Sequence, residues 1–203
     1  MEKQTAVKRQ GGALGSRPDR AAPVGTTIKT RIERGAKALA AAPCDLHITV
    51  LEVIRGEQAW GRVQREGLVG LPARTGMEYL LARIRFAYSC AARGRSEHAP
   101  YVLEKGQLAA AAGDGRTEFE TPDFPQQPQP QILDVPFAEG DAKEGWILVQ
   151  VPQDEKEPLL VFHREHDNKY SIQGPLWLRL YHFDPMCIED TCGECVVRAQ
   201  GEG

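Results

Sequence analysis

Apolar residues recur at every second position in two long runs of this chain, and a period of two is the signature of a β-strand with one buried face. In residues 79–88 the side chains of Leu80, Ala82, Ile84, Phe86 and Tyr88 share a face, while Arg83 and Arg85 point the other way. That run predicts a central core strand. In residues 46–54, Leu46, Ile48 and Val50 share a face; the phase then slips, and Leu51 and Val53 carry the apolar row onward. An extra residue in one strand of a pair produces such a slip, so a β-bulge is expected there. Residues 26–32 predict a half-buried strand, with Ile28 and Ile32 inward and Lys29 and Arg31 outward.

Shorter strands are expected at residues 101–104, 118–120, 132–137, 146–151 (WILVQV), 159–163 (LLVFH) and 177–182 (WLRLYH). The polar stretch PQDEKEP at 152–158 reads as a hairpin or a corner. Only residues 57–66 read as helical, and Gly61 weakens that segment. Residues 121–131 (TPDFPQQPQPQ) hold too much proline to pair inside a sheet and predict an extended surface loop. Short strands separated by turn signals give an all-β antiparallel sandwich with one short helix and flexible tails. Its expected core comprises Ile48, Val50, Leu80, Ile84, Phe86, Leu148 and Phe162.

Four stretches, VLEVIRGEQAW (50–60), GMEYLLARIR (76–85), EGWILVQV (144–151) and LLVF (159–162), together resemble a bacterial immunoglobulin-like domain of unknown function. That domain occurs mostly in exported proteins and lipoproteins and is sometimes labelled telomeric-repeat-binding-factor-like. APVGTT (22–27) is similar to its Pro-x-Gly lead-in. The resemblance implies an immunoglobulin-like sandwich over residues 23–182 and a non-catalytic binding or structural role at the cell envelope, with a protein or a small ligand as partner. It also implies an extracytoplasmic location. Family members usually carry a signal peptide or lipidated cysteine upstream, whereas Met1–Arg20 lacks an apolar h-region, so the chain as written reads as cytoplasmic. A basic, glycine-bearing, disordered tail at 1–22 and a cysteine-bearing tail at 183–203 complete the expected organisation.

Composition narrows the classes further. A length of 203 residues with 41% hydrophobic side chains supports one domain with a real core. With 25 basic against 28 acidic side chains the net charge is −3, which gives no electrostatic drive toward the phosphate backbones of nucleic acid or toward anionic lipid. No stretch approaches the roughly 20 apolar residues of a transmembrane helix. The chain lacks G-x-S-x-G, a phosphate-binding G-x-x-x-x-G-K-[ST] and a dinucleotide G-x-G-x-x-G, and it is therefore read as a non-enzyme.

Candidate chemistry is confined to a few clusters. The sequence GEQAW ends in Trp60, whose indole is expected to plug one end of the sandwich; Trp60 and Trp146 are also the candidate ligand contacts. His182, Cys187, Cys192 and Cys195 form an H-x4-C-x4-C-x2-C series that suits zinc, the one candidate cofactor. The same thiols could instead form a disulfide or stay free, and C-x4-C-x2-C matches part of an iron–sulfur spacing. The five cysteines leave at least one unpaired in an oxidising compartment, whereas all could stay reduced in the cytosol; composition does not choose between these. His163 and His166, beside Glu165 and Asp167, read as a solvated loop because two rings three apart on a strand face opposite ways. The acidic run EGDAKE (139–144) reads as a turn, since it lacks the regular oxygen spacing of a calcium loop.

Overall fold

A computed structural model of the chain describes residues 13–34, 42–68, 71–90, 100–120, 124, 126–164 and 174–182. Among these residues ten strands and one α-helix follow in order: β1 (Ile28–Arg34), β2 (Ala42–Arg55), α1 (Gly56–Arg65), β3 (Met77–Cys90), β4 (Tyr101–Val102), β5 (Leu108–Ala111), β6 (Glu118–Phe119), β7 (Pro136–Phe137), β8 (Ala142–Pro152), β9 (Leu159–Phe162) and β10 (Leu176–Arg179). One four-stranded sheet has the order β1-β2-β3-β8, a second has β10-β9-β5-β6, and β4 pairs with β7. Every strand pair is antiparallel.

The two four-stranded sheets face each other across one core, so the fold is an all-β sandwich. Inward residues of the first sheet, among them Ile32, Leu46, Ile48, Ile84 and Val149, pack with Leu108, Ala110, Leu160, Phe162 and Leu178 of the second. Phe86 stands at the middle, with ring centroids 5.3 Å from Tyr101, 5.1 Å from Phe137 and 5.9 Å from Phe162. Each such aromatic pair contributes about 0.5–1.5 kcal/mol beyond area burial.

The two long period-two runs became the two central strands, β2 and β3. The register between them shifts between Val50 and Glu52, leaving Leu51 as the extra residue of the expected bulge. The PQDEKEP stretch is a corner, since it carries the chain from β8 in one sheet to β9 in the other. In an immunoglobulin constant-type sandwich the third strand has already crossed to the opposite sheet; here β1, β2 and β3 run consecutively through one sheet.

Several expectations require correction. Leu148 is buried but faces away from the sandwich core, in a second apolar cluster with α1. The alanine run at 109–111, for which no strand was expected, belongs to β5, a central strand of the second sheet. The tail expected to reach residue 22 is folded from Ala13 onward: the Trp177 amide donates to the Gly15 carbonyl (2.9 Å), and Ala22, fully buried, bridges to Leu178 of β10. Residues 183–203 lie outside the described residues.

Cys44 and Cys90, the two cysteines outside the tail, are directly opposed across β2 and β3 and form a disulfide. Both are buried. Alternation brings them together: Cys44 is in phase with Leu46 and Ile48, and Cys90 with Tyr88 and Phe86, so both thiols point inward.

Candidate functional site

Helix α1 lies on the outer face of the first sheet, and the local sequence explains its position. Gly56 has φ +61°, a left-handed conformation that glycine adopts without Cβ strain, and it turns the chain out of β2 into the helix. Ala59 and Val63, four residues apart, bury one helix face against Tyr79 and Leu81 of β3 and Trp146 and Leu148 of β8. Glu57 in the first turn and Arg62 and Arg65 in the last oppose the helix dipole. Arg62 also lies over the Trp146 ring, with its guanidinium carbon 3.9 Å from the centroid, and donates to the Gln129 carbonyl at 2.9 Å. Trp146 is thus an interior member of this second cluster, 7% exposed.

Between the first turn of α1 and residues 72–79 opens a cleft of about 610 Å³. Trp60 lines it and stacks on Tyr79, with centroids 5.6 Å apart and planes inclined by 17°. The Tyr79 hydroxyl donates to the Leu71 carbonyl at 3.0 Å, which fixes the platform from below. The indole is therefore not an end plug between the sheets, as expected from sequence, but part of the wall of an open site on the outside of one sheet. Met77 and Pro72 add apolar surface, while Glu57, Arg74, Glu78 and Gln153 supply the polar lining.

Most of the charge around the cleft is already engaged. Arg55 Nε donates to Glu78 Oε1 at 2.7 Å, and its Nη2 donates to the Glu155 carbonyl at 2.9 Å. Arg74 pairs with Glu120 at 2.9 Å. Glu57 has no ion-pair partner among the described residues. A Cβ at position 56 would lie 3.1 Å from Glu78 Oε2, so glycine there keeps that oxygen uncovered. The site thus joins an aromatic platform to a few carboxylate and amide acceptors, the usual composition of a pocket for an organic ligand.

The other predicted residues lie elsewhere. His182 follows β10 and is exposed, whereas Cys187, Cys192 and Cys195 lie outside the described residues. His163 Nε2 is 3.1 Å from a Glu118 carboxylate oxygen; Glu165, His166 and Asp167 fall outside the described residues. In residues 138–141 the Ala138 amide donates to Asp141 Oδ2 at 2.9 Å and the Asp141 amide to the Ala138 carbonyl at 3.0 Å, so this acid organises a turn. Among the described residues no three His, Cys, Asp or Glu side chains gather in a metal-binding group. Nor is any helix among them long and apolar enough to cross a membrane. No family model, curated protein or solved structure matches the chain.

Proposed function

We propose that this domain is a non-catalytic binding module whose ligand, a small organic molecule or a side chain of a partner protein, seats on Trp60 in the α1 cleft. The observation that carries this reading is the half-buried indole held on Tyr79 at the wall of a 610 Å³ opening. Burying the whole of Trp60 would have been a simpler way to stabilise the helix. The fold instead leaves part of a large apolar ring at the surface, where ligand burial can use it. The buried Cys44–Cys90 disulfide supports placing the domain in an oxidising compartment, in keeping with a role at the cell envelope.

The test is a panel of peptides, sugars and amphipathic fragments screened by NMR on the full chain, read at the Trp60 indole N–H and the Met77 methyl. The chain has three tryptophans, so Trp60→Phe assigns the indole signal. A ligand that shifts both probes and loses at least tenfold in affinity with Trp60→Ala supports the proposal. If no panel member moves them, or if Trp60→Ala binds as tightly as the parent, the cleft is not the binding site.

A further inference from the structure

The outer face of the first sheet has two halves. Helix α1 covers the half that carries Tyr79, Leu81, Trp146 and Leu148. On the other half β1, β2 and β3 present their outward side chains in cross-strand rows: Lys29 lies opposite His47, His47 opposite Ala87, and Thr49 opposite Arg85. Residues directly opposite in an antiparallel pair project to the same side of the sheet. Two cations and an imidazole from three adjacent strands therefore share one face with a short stretch of small side chains, Lys29 in the row beside it.

That stretch is concave. A groove of about 280 Å³ is lined by Thr27, His47, Thr49, Arg85 and Ala87, with Thr49 as its floor at 5% exposure. The hydroxyls of Thr27 and Thr49 lie 2.8 Å apart. One of them donates to the other, so the accepting hydroxyl keeps its own hydrogen for a third group. Three acids share this face, and two of them are engaged by other arginines. Asp45 is held by Arg31 through contacts of 2.7 and 3.1 Å, and Glu52 pairs with Arg83 at 3.6 Å. Glu144 faces Arg85 from β8 but makes no ion pair with it; Lys29 and His47 act on Asp45 through space, yet they and Arg85 make no hydrogen bond or ion pair by their side chains among the described residues.

From this arrangement we infer an oxyanion site, for a phosphate or sulfate group, on the open half of the sheet. Arg85 supplies a planar fork that matches two oxygens of such a group. Lys29 adds positive charge from the adjoining row, the His47 ring adds an N–H donor, and the threonine pair adds a neutral donor at the floor. The chain as a whole carries a net charge of −3, so the basic character here is local rather than a reflection of composition. The site is separate from the α1 cleft and does not depend on what that cleft binds.

The experiment is a titration of the full chain with sodium phosphate, and separately with sodium chloride at matched ionic strength and fixed pH, followed by NMR at His47, Thr49 and Ala87. Phosphate should give a saturable shift at these positions that chloride does not reproduce. Arg85→Met should weaken binding at least tenfold and Thr27→Val several-fold, while Lys156→Met, which removes one cation at the β8–β9 corner, should leave it unchanged. Cosedimentation with phosphatidylcholine vesicles, with and without phosphatidate, separates the two sources of the anion. Capture by phosphatidate vesicles that is lost in Arg85→Met assigns a lipid headgroup, and a saturable phosphate response without capture assigns a soluble ligand. Equal responses to chloride and phosphate, or the same loss in Lys156→Met as in Arg85→Met, would overturn the inference.

Discussion

Removing the Cys44–Cys90 bond by the double substitution Cys44→Ala/Cys90→Ala should lower the stability of the domain by about 4 kcal/mol. The figure follows from chain entropy: the bonded residues are 46 apart in sequence, and closing a loop of that length removes on the order of 4 kcal/mol of conformational freedom from the unfolded chain at 25 °C. Both partners face each other in the strand register, so the bond links positions that β2 and β3 already pair. Urea unfolding of parent and variant gives the difference directly, and scanning calorimetry should show the midpoint falling by on the order of 10 °C. Alanine avoids new thiols, and the parent treated with reductant should approach the variant. A mass spectrum of the unreduced parent with five alkylatable thiols, or a stability difference below about 1 kcal/mol, would refute the reasoning, since the chain-entropy contribution would then be absent.

Other outcomes can be checked on the same protein. Phe86→Ala empties the middle of the core, where three aromatic rings meet, and should cost about 3–5 kcal/mol in urea unfolding. At Gly145 a Cβ would lie 2.5 Å from the Pro130 carbonyl oxygen and 2.7 Å from the Ile132 Cβ, so Gly145→Ala should cost about 1–3 kcal/mol and speed amide exchange at Trp146. The Asp45 carboxyl is held below its ordinary range chiefly by its hydrogen bonds from Arg31. The stability this pair contributes is therefore present above the ordinary carboxylate range and lost as pH falls through the depressed value. Carbon-detected NMR should find the Asp45 titration moving back up in Arg31→Met, and parent and variant should converge in stability at the acid end.

Much of the sandwich was legible because burial on one face of a strand writes a period of two into the sequence. Residues 79–88 carried that period without interruption, and the phase slip at Val50 and Leu51 marked the bulge to the residue. Strand β5 was missed because a run of alanines has no alternation to read: its buried and outward positions hold the same side chain. Leu148 was placed in the wrong cluster because β8 is buried on both faces through its middle, and a continuous apolar run does not say which side each residue takes. Trp60 was recognisable as a special residue, but only the approach of residues 72–79 turns it into the wall of a cleft. The disulfide was within reach, since Cys44 and Cys90 each extend an inward row already identified. The groove around Arg85 was not, because it depends on the lateral register of three strands, which a linear sequence does not display.

The loop that runs past Trp146 has a consequence for how the protein behaves in a crowded solution. Strand β8 pairs with β3 on one side only, and an uncovered edge of that kind is a template for self-association. The Trp146 amide instead donates to the Pro130 carbonyl at 3.0 Å, and Gln131 forms a parallel bridge to Trp146. Two residues of the covering segment, Pro128 and Pro130, have no amide hydrogen to offer a further strand. At Trp146 the sheet therefore ends in a border that accepts the last strand's hydrogen bond but offers a poor ladder to the next, which blunts the middle of a long, apolar edge strand against fibre-like stacking of one molecule upon another.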